Sequence, residues 1–176
     1  MNKIRRVSLY LWVLFLASAE QIIKLFVVHG LKGKSITIIK GILKFTYCEN
    51  KGVAFSFGNG LVPVFIILNI LLIGGLVYYY EKNRQEINNV GKMFFILVIA
   101  GGLSNLIDRI TRGFVVDFID VNELLNFAIF NVADIFIVVG IFGTIIYSFI
   151  REIRKWFLNH IIKIIKLNLR IVLQFN

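Results

Sequence analysis

Four apolar stretches dominate the chain, and they make a lipid bilayer its natural solvent. Hydrophobic residues account for 58% of the 176 positions, whereas about 45–50% is usual in soluble domains. Each stretch is long enough to cross a hydrocarbon core of about 30 Å as a helix. We predict a mainly α membrane fold, a four-transmembrane-helix bundle within residues 1–155, with spans at about 7–29, 61–80, 92–110 and 128–150.

The first apolar stretch has two interpretations. Lys3, Arg5 and Arg6 precede an apolar run that ends near Ala17-Ser18-Ala19, a pattern typical of a cleavable secretory signal. The apolar residues nevertheless continue after Gln21, giving about 23 residues in all, which suffices to span the membrane. We favour an uncleaved first membrane helix over the cleavable signal.

Basic residues flank the apolar stretches and predict the topology. The net charge is +10, but these residues do not form one compact basic face, so we expect no nucleic-acid partner. The positive-inside rule makes both termini cytoplasmic and residues 30–60 and 112–127 external. The basic tail 156–176 shows near-helical spacing of its charges, which predicts an amphipathic helix on the cytoplasmic membrane surface, in contact with lipids.

The external segment 30–60 has a different character from the spans. Residues 35–38 and 43–47 alternate between apolar and polar positions, as short strands do. The segment therefore predicts a small extracytoplasmic β-sheet. In the second external loop, Asp120 and Glu123 are interpreted as solvated.

Polar residues recur within the spans, where charged side chains are unfavourable and tend to be functional. Glu20 and Lys24 stand four apart on one helix face and can pair. Asn105, Asp108 and Arg109 are interpreted as structural support, with the aspartate and the arginine paired beside a carboxamide. With four spans, these residues are predicted to lie at the same membrane depth as Asp117, Asn131 and Asp134. Gly113 is predicted to end the third helix as a C-cap, and Asp117 follows it.

Asp117 and Asp134 are the candidate catalytic pair, because neither has a basic residue at helical spacing. Two carboxyl groups brought together cannot both be ionised, so one retains a proton. Such a pair can deprotonate water and protonate a peptide carbonyl, which hydrolyses an amide without a covalent step. We expect Asn50 and Asn131 to donate to the substrate or the developing oxyanion, and we expect no metal and no cofactor.

Other chemistries fit the sequence less well. The serines Ser18, Ser56 and Ser104 have no histidine near them in sequence, and Cys48 is the single cysteine, so no intrachain disulfide is possible. A small proton-coupled transporter or channel would use the same acidic cluster. A purely structural membrane protein would explain the spans but not the two aspartates.

The motifs resemble, in order and spacing, those of one enzyme family over about residues 7–150. They are Gln21 with Lys24, Asn50-Lys51-Gly52-Val53-Ala54-Phe55-Ser56, Gly101-Gly102 with Asn105, Asp108-Arg109, Gly113-Phe114-Val115-Val116-Asp117-Phe118 and Phe130-Asn131-Val132-Ala133-Asp134. The family is bacterial lipoprotein signal peptidase, also called signal peptidase II.

The resemblance implies an aspartic endopeptidase of the bacterial cytoplasmic membrane. It would cut prolipoproteins on the amino side of a diacylglyceryl-modified cysteine, near the outer face, and be blocked by globomycin. Asp117 and Asp134 would be the catalytic dyad. We expect a monomer. The residues that match substrate-lining or supporting positions of the family are Asn50, Gly52, Asn105, Arg109 and Asn131. The sequence departs from the family at Glu20, where aspartate is usual.

Overall fold

The computed structural model describes residues 3–52 and 61–174, with side chains described for 8–52 and 61–162. Motif residues 53–56, including Ser56, lie outside this part. In chain order the elements are α1 (Lys3–Leu31), β1 (Ser35–Ile39), β2 (Leu43–Asn50), α2 (Val62–Asn83), α3 (Asn89–Arg112), β3 (Val115–Asp120), α4 (Asn122–Leu125) and α5 (Val132–Gln174).

Four helices are long and apolar enough to cross a membrane, which confirms the predicted bundle. The segments that meet this criterion are Ser8–Leu31, Val62–Asn83, Asn89–Arg112 and Val132–Ile162. Their outer faces carry many exposed aliphatic and aromatic side chains, such as Phe26 and Leu71. This arrangement suits a protein whose surroundings are apolar.

Helix α3 is the centre of the bundle and packs against α1, α2 and α5. Glycines permit its close approach to α5: an added Cβ at Gly101 would overlap the carbonyl oxygen of Ala133, and one at Gly143 would overlap the ring of Phe94. On the other side, Gly102 lies against Asn69 of α2. The close helix contact predicted at Gly101-Gly102 is therefore confirmed.

The small sheet is antiparallel, with strand order β1-β2-β3. Its first two strands match the segments predicted at 35–38 and 43–47. The third strand was not predicted, because its partner is distant in sequence: Val115 pairs with Asn50. Helix α3 ends at Gly113, whose φ of 76° requires the left-handed conformation that the predicted C-cap adopts.

Two residues interpreted as solvated have partners. Asp120 accepts a hydrogen bond from Thr46 Oγ1 at 3.2 Å and another from the Asn122 backbone N–H at 3.0 Å. Glu123 forms a surface ion pair with Lys44. The hydrogen bond between Thr46 and Asp120 joins β2 to β3, and the ion pair between Lys44 and Glu123 joins β2 to α4. Neither contact is indicated by a local sequence pattern.

Helix α5 differs from the predicted fourth span at both ends. It begins at Val132 rather than near Ala128, and it continues through residue 155 to Gln174 without a helix end. The predicted division between bundle and tail is therefore not marked in the secondary structure. That the tail lies on the membrane surface stays a prediction, since its side chains beyond residue 162 are outside the described part.

Candidate active site

The two candidate catalytic aspartates stand on different elements and meet at one cavity. Asp117 lies on strand β3, paired in register with Cys48 of β2, and Asp134 lies in the first turn of α5. Both line a cavity of about 730 Å³, which is bordered by α2, α3, α5 and the loop before α5. The fold thus brings together two aspartates that are seventeen residues apart in the sequence.

Asp117 is almost completely buried, and both its carboxylate oxygens accept amide hydrogen bonds. Asn50 Nδ2 donates to Oδ2 at 2.9 Å, and Asn131 Nδ2 donates to Oδ1 at 2.7 Å. Burial, followed by the nearby charge of Asp134, raises the pKa of Asp117 to about 7, although the two amide donors act in the opposite direction. Asp117 can therefore exchange a proton near neutral pH.

Asp134 is held at the start of α5 by reciprocal capping with Asn131. The Asn131 backbone N–H donates to Asp134 Oδ2 at 3.1 Å, and the Asp134 backbone N–H donates to Asn131 Oδ1 at 2.9 Å. Asn105 Nδ2 donates to the other oxygen, Oδ1, at 2.8 Å. Asn131 was predicted within the helix, but it lies just before the first helical residue, Val132. The backbone N–H of Asp134, in the first turn, has no carbonyl partner within the helix, and the Asn131 side-chain oxygen accepts from it instead.

Three asparagines surround the dyad, and the orientation of each carboxamide is determined by a group that can only donate. A carboxamide oxygen must face such a donor, so the NH₂ group turns the other way. All three NH₂ groups thereby point at the aspartates. The donors for Asn50, Asn105 and Asn131 are respectively the Gly52 backbone N–H at 3.0 Å, Lys24 Nζ at 2.9 Å and the Asp134 backbone N–H at 2.9 Å.

This arrangement changes the expected role of two of these side chains. Asn50 and Asn131 were predicted to donate to the substrate or the oxyanion, but in the structure their NH₂ groups donate to Asp117. The reason is that a buried carboxylate needs donors of its own. Gly52, predicted at the site, takes part through its backbone by fixing Asn50.

Lys24 and Glu20 form the predicted ion pair, but Lys24 lies closer to Asp108 than to Glu20. Lys24 Nζ lies 3.8 Å from Glu20 Oε1 and 2.8 Å from Asp108 Oδ2, and all three side chains are buried. Glu20 Oε1 also accepts a hydrogen bond from the Ala133 backbone N–H at 3.3 Å, next to Asp134. Among the described residues, Glu20 Oε2 has no hydrogen-bond partner.

Asp108 and Arg109 do not pair with each other as predicted, because neighbouring residues on a helix point about 100° apart. Asp108 instead pairs with Arg112, four residues on and therefore on the same face. It also accepts from the Val116 backbone N–H at 3.1 Å, which fixes the strand beside Asp117. Arg109 turns to the cavity and donates to the Gly52 carbonyl at 3.3 Å.

Several contacts of the site were not predicted. Gln21 Nε2 donates to Ser104 Oγ at 3.1 Å and to Asp108 Oδ1 at 3.2 Å, and the guanidinium of Arg109 lies 5.9 Å from the ring centre of Phe65. The i, i+4 spacing of Arg112 from Asp108 was a usable signal. Nothing in the sequence distinguished Phe65 from other lipid-facing aromatics.

The remaining walls of the cavity are apolar. They come from one face of α2, one face of α5 and the loop between α4 and α5, and they include Leu68, Leu72, Phe127, Ile135, Val138 and Val139. The polar groups converge at one end of this apolar space. A site of this kind suits a ligand with a polar reacting group and a long apolar portion.

Comparison with known proteins identifies the family. A family model described as "Signal peptidase (SPase) II" matches residues 12–150. The lipoprotein signal peptidase of Streptococcus thermophilus (strain CNRZ 1066) is 37% identical over 138 residues, which cover 78% of this chain and 89% of that protein. The lipoprotein signal peptidase of Clostridioides difficile (strain 630) is also 37% identical, over 136 residues covering 77% of this chain and 90% of that protein.

Solved structures agree with this result. A bacterial membrane enzyme determined by the in meso method at 2.3 Å resolution matches with a TM-score of 0.75 and 33% identity, over 82% of this chain and 88% of that chain. A second bacterial membrane enzyme, determined by the same method at 1.9 Å, matches with a TM-score of 0.72 and 34% identity, over 80% and 92% of the two chains. The chain belongs to the signal peptidase II family and is a multi-pass membrane peptidase.

Proposed function

We propose that this protein is an aspartic endopeptidase that removes the signal peptides of prolipoproteins. It cuts on the amino side of a diacylglyceryl-modified cysteine, near the outer face of the bacterial cytoplasmic membrane, with both termini in the cytoplasm. The relatives named above are lipoprotein signal peptidases, which supports the substrate class. It acts as a monomer without a cofactor, and globomycin inhibits it.

The observation that carries this proposal is the pair of aspartates on one cavity, each held by amide donors. Asp134 lies in the first turn of α5 and accepts two hydrogen bonds, one from Asn105 Nδ2 and one from the Asn131 backbone N–H. It removes a proton from a water molecule as the water oxygen attacks the scissile carbonyl carbon. Asp117, whose pKa is raised to about 7, gives its proton to the carbonyl oxygen.

The neutral tetrahedral intermediate then collapses. Asp117, now charged, removes a proton from one hydroxyl of the intermediate as the carbonyl re-forms. The proton on Asp134 passes to the leaving amine, the C–N bond breaks, and both carboxyl groups return to their starting states. Asn50 and Asn131 keep the Asp117 carboxyl group hydrogen-bonded throughout.

The rest of the cavity holds the substrate. The guanidinium of Arg109 offers donors to a peptide carbonyl at the polar end of the cavity. The apolar walls on α2 and α5 take the signal helix and the acyl chains, for which burial is favourable. A lipid-modified segment thereby reaches the dyad from the bilayer side.

Cleavage of a diacylglyceryl-modified prolipoprotein by the purified protein in detergent tests the proposal. Wild type should cut before the modified cysteine, whereas Asp117→Asn and Asp134→Asn should fold and not cut. Asp120→Asn is a matched control, since Asp120 is on the same strand as Asp117 but outside the cavity lining. Retained activity in either dyad variant would overturn the proposal. So would a substrate that another signal peptidase II cleaves but that this protein leaves intact.

A further inference from the structure

One of the three carboxamides around the dyad is oriented by a side chain rather than by the backbone. Asn50 and Asn131 are fixed by backbone N–H groups, which only a proline substitution removes. Asn105 is fixed by Lys24, whose ammonium lies 2.9 Å from Asn105 Oδ1. We propose that Lys24 is a positioning residue for the dyad, which holds Asn105 so that its NH₂ group faces Asp134; this inference rests on the proposed peptidase function.

The hydrogen-bonding capacity of Lys24 determines which way the Asn105 carboxamide faces. An ammonium group has donors only, so the Asn105 oxygen must face Lys24 and the nitrogen must face away. The nitrogen then donates to Asp134 Oδ1 at 2.8 Å. A carboxamide turned through 180° would instead present its oxygen to the carboxylate, and two acceptors would meet without a proton between them. Lys24 excludes this second orientation.

The other donor to Asn105 Oδ1 is weaker. Asn131 Nδ2 lies 3.3 Å from that oxygen, against 2.7 Å from Asp117 Oδ1. The shorter of the two hydrogen bonds that Asn131 Nδ2 donates is therefore the one to Asp117. Asn131 alone would hold Asn105 less firmly than the ammonium does.

Lys24 acts at a distance from the substrate. Its side chain is fully buried, and it is not among the residues that line the cavity. Its charge is compensated on the far side by Asp108 at 2.8 Å and Glu20 at 3.8 Å. Because it contacts neither substrate nor cavity, its loss should lower kcat and leave KM unchanged.

The network also couples the two aspartates. Asn105 joins Lys24 to Asp134, and Asn131 joins Asn105 to Asp117. A side-chain network with every member satisfied is rigid, and a misplacement of about 1 Å in such a site can lower the rate about 100-fold. We therefore expect a loss of that order when Lys24 cannot donate.

The test replaces Lys24 and neutralises Asp108, the carboxylate nearest to it, while Glu20 is kept in every variant. Lys24→Met is made together with Asp108→Asn, because a buried charge that has lost its partner strongly destabilises a protein. Asp108→Asn alone is the reference. Relative to it, the double variant should lose about 100-fold in kcat with KM unchanged, measured on the diacylglyceryl-modified prolipoprotein in detergent.

A double-mutant cycle separates positioning from simple structural support. Lys24→Met is repeated in an Asn105→Ala, Asp108→Asn background, where there is no carboxamide to orient. If Lys24 acts through Asn105, the substitution has no further effect on kcat there. The proposal is overturned if Lys24→Met lowers kcat by the same factor with and without Asn105. It is also overturned if Lys24→Met does not lower kcat relative to Asp108→Asn alone.

Folding is monitored by thermal unfolding of each variant. Should the Met variant not fold, Lys24→Arg with Asp108 intact replaces it, because arginine keeps both the charge and the donor. A folded Arg variant is expected to exceed Asn105→Ala in kcat, and equal rates overturn the proposal. If wild type itself does not cleave, the peptidase function fails; if wild type cleaves and the cycle is additive, only the role of Lys24 fails.

Discussion

Asn131 and Asp134 cap each other at the start of α5, with two reciprocal hydrogen bonds of 3.1 and 2.9 Å between backbone N–H groups and side-chain oxygens. The same Asn131 side chain donates its NH₂ group to Asp117. A helix cap and a contact to the second aspartate are thus combined in one residue. The helix end that presents Asp134 cannot shift without disturbing Asp117.

Substitution of Asn131 should separate these two roles. Serine retains a capping oxygen but has no NH₂ group, so Asn131→Ser should keep the thermal stability and lose most of the activity. Asn131→Ala should lose the cap as well, at about 0.5–2 kcal/mol of unfolding free energy. Thermal unfolding and cleavage assays on both variants check this; equal activity of the serine variant and wild type would contradict it.

Activity should fall as the pH rises through about 7, because Asp117 must carry a proton to act as the acid and its pKa is raised to about 7 by burial and Asp134. The basic limb of the kcat profile in detergent measures this. A profile that stays flat to pH 9 would show that the acid is another group.

The same shift predicts how stability depends on pH. A raised pKa means that the folded state keeps a proton on Asp117 that the unfolded state, at its ordinary value of 3.8, has lost. The free energy of unfolding should therefore decrease as the pH rises from about 4 to about 7 and then level off, as far as this group is concerned. Asp117→Asn should lack this contribution, as thermal unfolding across that range would reveal.

Gly101 should tolerate no side chain. A Cβ there would overlap the carbonyl oxygen of Ala133, one residue before Asp134. Gly101→Ala should therefore lower the unfolding midpoint and reduce cleavage. Gly75→Ala in α2 is the matched control, since no atom lies within 4 Å of its added Cβ, and it should stabilise the helix by roughly 0.5–1 kcal/mol. Similar behaviour of the two variants would contradict the close packing.

A bulky side chain on the cavity face of α2 should impair substrate binding. Leu68 lines the cavity, whereas Leu71, which is exposed on the same helix, is not among the residues that line it. Leu68→Trp should raise KM for the lipid-modified substrate, and Leu71→Trp should leave it unchanged, with both variants unfolding near the wild-type temperature. Equal KM values would remove the cavity from the binding site.

The helices and the polar cluster could be predicted from the sequence because both depend on local patterns. An apolar run of sufficient length must be a membrane helix, and polar residues within such runs require each other as partners. Gly113 likewise follows from the conformation that a helix end requires. These features need no knowledge of distant neighbours.

The features that were missed depend on distant contacts or on side-chain direction. Strand β3 exists because β2 offers an edge, and the pairing of Val115 with Asn50 is not encoded near either residue. Arg109 and Asp108 are adjacent, yet their side chains point about 100° apart on α3 and reach different partners. The position of Asn131 before the helix was missed for a similar reason. It depends on the direction of its side chain, whose oxygen accepts from the backbone N–H of Asp134.

The length of α5 has a consequence for how the protein fits membranes of different thickness. From Val132 to Arg151 the helix rises about 29 Å, close to one hydrocarbon core, and it then continues unbroken to Gln174. Its first residue is held by the cap, so it cannot slide at the end that carries Asp134. A thicker or thinner bilayer must be accommodated at the opposite boundary, where Arg151 and Arg154 can extend their guanidinium groups to water. The depth of Asp134 in the membrane should therefore depend on the membrane surface at the start of α5 and not on the thickness of the bilayer.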